Sequence, residues 1–234
     1  MSQTITRRKA LATMGLTASA GLISSAVSGQ VSDDQTEDSI LIVGVSGSPR
    51  RGKTTATAVG VALEAARGVD PRIRTELVDL GGKAILGSDG SSSATDLDVN
   101  DDFAEILPIL KAPNLGGLII GSPSYFRSMS SLCKAFLERL AVLRSPTLLL
   151  ADKPVGALSV GSYRNGGQEL VIEQILTIML CHEMMLVGGK PRTPQGATLW
   201  NKDDDIMKDE FGIESARNLG IRVAEAALKL AAKK

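Results

Sequence analysis

The stretch SGSPRRGKTT, residues 46–55, concentrates the groups that hold phosphate. Gly47 and Gly52 allow tight turns. Backbone N–H groups at a turn that opens a helix attract an anion. Arg50, Arg51 and Lys53 add positive charge, and Ser48, Thr54 and Thr55 add hydroxyl donors. From Gly47 to Thr54 the letters also spell G-x-x-x-x-G-K-T, the P-loop pattern of ATP- and GTP-binding proteins. The residues therefore suit a nucleoside triphosphate or the single phosphate of a smaller nucleotide.

Other stretches weigh against the triphosphate. That chemistry needs magnesium, usually held with an acid at the end of a second apolar strand. The apolar run 117–120 ends in Gly121-Ser122-Pro123, with no acid. LLLAD at 148–152 imitates the required string. Asp152, however, is followed by Lys153-Pro154 and the apolar run 155–160, so it stands at the entry to a strand. Two further stretches offer other chemistry. GSPSYFRSMSSLCKAFLERL, 121–140, places Pro123 and the Tyr125-Phe126 pair after an apolar strand. Amphipathic rings there suit a planar, apolar ligand edge. Ser128 or Ser130 can cap the helix that follows. GSYRNGGQE, 161–169, is a glycine-rich loop able to present backbone groups to a ring edge.

The elements that position these loops alternate along the chain. Apolar or alternating runs predict strands over 40–45, 72–80, 117–120, 154–160 and 184–187. Helical spacing predicts helices over 54–67, 101–111, 129–143, 167–180 and 204–233, the second with Asp101 and Asp102 in its first turn, where acids suit the helix dipole. The last carries Leu219, Val223, Ala227 and Leu230 on one stripe. Residues 81–100 read as a polar loop. This order predicts an α/β fold, a three-layer doubly wound domain with a five-stranded parallel sheet. In such sheets the ligand binds outside the carboxyl ends of the strands, which is where the three loops converge.

On these motifs the chain resembles the flavodoxin-like NADPH-dependent FMN reductase family, with its iron–sulfur flavoprotein relatives, over about residues 40–190. SGSPRRGKTT is similar to the family's GSPRxxxNT loop, and GSPSYFRSMSSLCKAFLER to its GSPxYxxxMSxxLKxFxDR stretch. GGQE…CHEMMLVG is similar to the segment after strand four. The resemblance implies FMN as cofactor, with Ser48, Arg50, Lys53, Thr54 and Thr55 around its phosphate. Pro123, Ser124, Tyr125, Phe126 and Arg127 would line the flavin ring. Gly161, Ser162, Gly166 and Gly167 would close the other side. It implies an oxidoreductase in which the flavin, and no protein nucleophile or metal, does the chemistry. Electrons would pass from NAD(P)H or a redox-protein donor to a quinone-like or other small acceptor. Two departures stand out. Thr54 replaces the family's Asn, and GGKAILGSDGSSS after strand two lacks the cysteine cluster of the iron–sulfur branch.

The rest of the sequence sets the surroundings. Two cysteines and no CxxC argue against a disulfide framework. A formal charge of zero gives no basic face for nucleic acid. Residues 1–28, with Arg7-Arg8, a mildly apolar run and Ala26-Val27-Ser28, resemble a twin-arginine export signal and are too weakly hydrophobic for a stable membrane span. Residues 29–38 read as an acidic linker and 39–234 as the FMN-binding domain. Export suits a folded flavoprotein but removes it from cytoplasmic NAD(P)H, so an exported electron-transfer protein without nicotinamide activity is the alternative. Helix 167–180 is apolar on nearly every side, from which a homo-oligomer is expected. His182 reads as a packing or hydrogen-bonding residue. Trp200 either covers a pocket or packs on the surface. Asp203–Asp205 read as the acidic start of the last helix.

Overall fold

The computed structural model describes residues 38–88, 101–191, 193 and 195–232. The expected signal, nearly all of the linker and residues 89–100 of the polar loop lie outside the described residues.

Three strands are mostly apolar, with one serine each, and almost wholly buried: β1 (Ile40–Ser46), β3 (Leu115–Pro123) and β4 (Pro154–Gly161). Strands covered on both faces need no polar side. β2 (Ile73–Asp79) buries only Ile73 and Val78, as befits an edge strand. All pairings are parallel, in the order β2-β1-β3-β4-β5. The chain runs outward from β1 to β2 and returns to β3 on the other side of β1. The carboxyl ends of β1 and β3 therefore diverge into a crevice, the usual ligand position in such sheets.

The fifth position differs from the expected single strand. Met185–Leu186 (β5) pairs with Pro154 and Val155 at the entry of β4. Ala197–Trp200 (β6) then pairs with Leu158 through Gly161 at its exit. Trp200 thus ends a strand rather than sitting in a loop. Four residues behind a Pro- and Gly-containing segment carry too little periodicity to announce a strand.

Helices α1 (Thr54–Arg67) and α5 (Glu210–Ala231) cover one face of the sheet around Ile42, Ile119 and Leu158. Helices α2 (Phe103–Leu110), α3 (Ser131–Arg139) and α4 (Gln168–Leu180) cover the other around Val45, Leu118 and Ile120. Two acidic assignments change. Asp101 does not merely complement a helix dipole; it forms a buried ion pair with Arg139, whose guanidinium lies 4.8 Å from the Phe103 ring centroid. Asp203–Asp205 do not start α5 either. Asp205 caps the short 3-10 turn Ile206–Lys208, and Asp209 caps α5 by accepting from Gly212 N.

α1 and α5 cross with almost no space at Gly220, where an added Cβ would fall 1.9 Å from the Ala62 carbonyl oxygen. Backbone cannot yield as a side-chain tip can. Gly220→Ala is expected to cost about 1–3 kcal/mol and lower Tm by roughly 3–10 °C. Gly60→Ala meets nothing within 4 Å and should leave Tm unchanged or raise it. Thermal unfolding by circular dichroism checks both.

Candidate functional site

β1 ends at Ser46, and residues 47–53 turn into α1. Lys53 holds the N-cap position, and no side chain caps the helix. Thr54 and Thr55, in its first turn, are buried. Free N–H groups at the positive end of a helix suit an anion. The loop is fixed from beneath. Gly47 N donates to Gly121 O at 2.7 Å, and the buried Ser130 hydroxyl donates to Gly47 O. Ser130 is in turn the N-cap of α3 and accepts from Cys133 N at 3.0 Å. Ser130 N donates to Ser122 Oγ at 3.0 Å. Asp79, the last residue of β2, accepts from Gly52 N at 2.7 Å and Gly81 N at 3.1 Å. Ser48 is buried and accepts from Arg50 N at 3.2 Å, so it shapes the turn.

The loop after β3 is strained and well braced. Ser124 N donates to Val160 O at 2.8 Å, and Ser124 Oγ donates to Gly166 O at 2.6 Å. Tyr125 and Ser128 exchange both backbone bonds, at 2.9 and 3.0 Å. Between them Phe126 and Arg127 have φ of 51° and 65°. This is the two-residue hairpin geometry that normally selects Asn-Gly, and each non-glycine residue there costs about 1–2 kcal/mol. Phe126 projects fully into solvent. Gln174 of α4 holds the turn, accepting from Ser128 Oγ at 2.8 Å and Met129 N at 3.3 Å. Gly167, with φ 87°, packs behind it. A Cβ there would lie 2.8 Å from Arg127 Cβ, so the position admits glycine on two grounds.

A fourth segment joins the site. Trp200 Nε1 donates to Ser162 O at 3.0 Å, and Asn201 N donates to Gly161 O at 2.8 Å. Gln168 Nε2 braces the same loops through Tyr163 O at 2.7 Å and Leu199 O at 3.2 Å. The Arg164 guanidinium lies 5.9 Å from the Trp200 ring centroid and ion-pairs with Asp209. Asp204 reaches across to the phosphate loop. Its Oδ1 accepts from Arg50 Nη1 at 2.8 Å, and its Oδ2 lies 3.5 Å from Lys53 Nζ. The hydrogen bond from Arg50 holds the Asp204 carboxyl below the ordinary carboxylate range. Local sequence carried no sign of these contacts, because Asp204 lies 154 positions from Arg50.

Arg50, Thr54, Pro123, Ser124, Tyr125, Gly161 and Ser162 line one cavity of about 150 Å³, with Val160 and Asn201 added. Lys53 is not in the lining and pairs with Asp204, while Ser48 in the loop and Thr55 in the first turn of α1 are buried. Phe126 and Arg127 form the exposed turn, and Gly166 and Gly167 lie behind that turn rather than in the lining. Sites for ligands of this size usually span about 300 Å³ or more. This cavity is smaller than that and lies between the cationic loop after β1 and the turn at Tyr125. The fit to FMN rests on the uncapped helix with its two cations and on Asn201 Oδ1, a buried oxygen in the cavity wall that no donor satisfies.

The remaining candidates lie elsewhere. Asp152 sits at the entry of β4, beside Ser39 and Asn114 at the opposite end of the sheet. His182 is buried in the turn before β5, which pairs with the same end of β4. Burial, and secondarily the Arg144 charge, lowers its pKa. No group of three or more His, Cys, Asp or Glu residues positioned to hold a metal occurs among the described residues.

A parallel sheet in the order β2-β1-β3-β4-β5, with the loops after β1, β3 and β4 meeting at one cavity, is the flavodoxin-like arrangement. Within that class the pattern of the NADPH-dependent FMN reductase family matches residues 40–196, and the chain belongs to this family. An iron–sulfur flavoprotein of Methanocaldococcus jannaschii is 36 % identical over 189 residues, covering 79 % of this chain and 95 % of the relative. One from Methanosarcina thermophila is 32 % identical over 182 residues, covering 76 % and 92 %. Among solved structures, the WrbA-like flavodoxin of Agrobacterium tumefaciens superposes with a TM-score of 0.59 at 18 % identity, over 82 % of this chain and 99 % of that one. RosB with a bound riboflavin-phosphate intermediate gives 0.64 at 15 % identity, over 82 % and 80 %. These two share the fold. FMN is the cofactor that family and site agree on. The relatives' iron–sulfur centre has no counterpart in this sequence, since such clusters are held by about four cysteine thiolates and only Cys133 and Cys181 are present.

Cys133 lies directly under Gly47, and burial pushes its thiol up to about 12. Cys181 is exposed. An aromatic disulfide reagent at neutral pH should therefore titrate one thiol in the native protein and the second only on unfolding. The Cys133 proton also affects stability. The unfolded thiol loses its proton around its ordinary value of 9.0, whereas the folded thiol keeps its proton to about 12. Stability from this group is thus complete below pH 9 and declines as pH rises toward 12. Fast modification of two thiols in folded protein would contradict the assignment.

Proposed function

We propose that the protein is an FMN-dependent oxidoreductase that passes hydride or electrons from NAD(P)H or a redox-protein donor to a quinone-like or other small acceptor. The observation that carries this reading is the convergence of the loops after β1, β3 and β4 on one cavity at the switch point of the sheet. Bound FMN supplies the hydride and electron chemistry. The chain supplies binding and orientation. Arg50, Lys53, the Thr54 and Thr55 hydroxyls and the first turn of α1 hold the phosphate. Tyr125 and the backbone of Pro123, Ser124, Gly161 and Ser162 flank the ring. No side chain is assigned as nucleophile, and the sole histidine is at the far end of the sheet. The family name favours a nicotinamide donor. The Arg7-Arg8 pair favours the second reading, an exported electron carrier served by another redox protein.

Protein purified with FMN should be yellow and carry about one flavin per chain. Stopped-flow mixing with NADPH, NADH and dithionite separates the readings. Bleaching by a nicotinamide at a catalytic rate supports the reductase, and bleaching by dithionite alone supports the carrier. Protein that takes up no FMN would sink both.

We further propose a homo-oligomer built on the outer side of α3 and α4. α4 buries Val171, Ile172, Ile175 and Met179 but leaves Leu170 and Leu180 exposed. Its outer side also carries Glu169, Glu173 and Thr177, so the helix is less uniformly apolar than the sequence implies. A depression of about 750 Å³ opens between α3 and α4, with Lys134 and Glu173 on its walls. Light scattering should give a multiple of the chain mass, and a monodisperse monomer would remove the proposal.

A further inference from the structure

The phosphate loop and the Asp204 segment carry an inference beyond cofactor identity. Arg50 and Lys53 are the two cations placed to meet a phosphate, and one carboxylate engages both. Asp204 Oδ1 accepts from Arg50 Nη1 at 2.8 Å, and Oδ2 lies 3.5 Å from Lys53 Nζ. Arg50 Nη2 simultaneously reaches Thr54 Oγ1 at 3.3 Å, at the head of α1. An internal anion thus faces the groups that an incoming anion must use.

Three features make this more than a surface ion pair. First, the backbone is bent to deliver it. Asp203 and Asp204 have φ of 55° and 58°, two successive left-handed residues without a glycine. Such residues are tolerated when the surroundings impose them. Secondly, Asp204 is on the segment that carries the cavity wall. Asn201, three residues earlier, lines the cavity and donates weakly to Asp204 Oδ1 at 3.5 Å, while its own Oδ1 is buried without a donor. Thirdly, nothing else covers that carboxylate. It is half-exposed, as are Arg50 and Lys53, so it can leave without crossing packed side chains.

We propose that Asp204 is an exchangeable counter-anion for the phosphate subsite. It neutralises the Arg50–Lys53 pair in the cofactor-free protein and is displaced by the FMN phosphate. Phosphate is the stronger competitor, carrying about −1.5 to −2 charge at neutral pH against −1 for the carboxylate. Its departure frees the 201–205 segment, so loading at the phosphate end is coupled to the Asn201 wall at the ring end. The site thereby discriminates against weak monoanions, which cannot displace Asp204, whereas a flavin without phosphate leaves both ion pairs in place and is indifferent to them. This inference rests on the FMN reading of the cavity.

The test compares wild type with Asp204→Asn, since Asn tolerates the left-handed backbone, and with Asp204→Ser as a second variant. Apo-protein is titrated with FMN, riboflavin and inorganic phosphate. Flavin fluorescence is followed for the first two ligands. For phosphate the reporter is Trp200, the sole tryptophan, with chloride at equal ionic strength as control. Removing the competitor should tighten FMN and phosphate binding roughly three- to tenfold, the range open to a pair of exposed ion pairs, and leave riboflavin binding unchanged. Unchanged or weaker FMN binding in the variants would overturn the proposal, because Asp204 would then orient Arg50 rather than compete for it. A parallel change for FMN and riboflavin would overturn it too, by revealing a general effect on the fold. Wild-type protein that binds no FMN would instead sink the cofactor reading itself.

Discussion

A buried hydroxyl joins the loop after β1 to the start of α3. Ser130 Oγ donates to Gly47 O and accepts from Cys133 N, while Ser130 N donates to Ser122 Oγ. One residue thereby caps α3, fixes the loop after β1 and ties both to the end of β3. Buried polar groups must be paired, and here the pairing also positions. With Gly47 O and the Gly47 N–H engaged below, the turn above it leaves the first N–H groups of α1 for a ligand. Cys133 fills the space beneath, apolar and neutral, so the loop rests on a floor that does not titrate near neutral pH.

The other side of the site is built by accepting strain. A hairpin turn of Phe126 and Arg127 is intrinsically costly. It persists because Ser124, Ser128 and Met129 are bonded to the loop after β4 and to α4, and because Gly167 leaves room for Arg127. Strain held in this way at the mouth of a cavity is a common mark of a working site. The result is a rigid turn placing Tyr125 in the cavity wall and Phe126 in solvent. Electrostatics are arranged with similar economy. Arg50 and Lys53, at the head of α1, are paired with one carboxylate from a distant loop.

Much of this was legible before folding. Continuous apolar runs identify β1, β3 and β4 because strands covered on both faces carry no polar register. The phosphate loop, the GSPSYF stretch and the glycine-rich loop were visible as chemistry, and parallel topology sends all three to one end of the sheet. The sequence reading also kept Asp152 away from the site, since a proline-led strand follows it at once. The reading failed where evidence was short or distant. β6 is four residues long. Asp203–Asp205 look like a helix start because acids favour that position, yet the helix begins at Glu210 and Asp204 answers to Arg50 instead. Asp101 looked like a dipole partner and proved to be half of a buried ion pair with Arg139.

Residue types and their periodicity thus determined the α/β class and the order of elements, and the loop motifs carried the resemblance to the family. These depend on neighbours within a few positions, where backbone geometry alone decides which side chains meet. Tertiary structure decided which charges pair, which hydroxyl joins the loops and which glycine is indispensable. Arg50 with Asp204, Ser130 with Gly47, and Gly167 with Arg127 are separated by tens of residues or more along the chain. They meet only because the sheet brings the ends of separate strands together. Spacing in sequence holds no record of that approach.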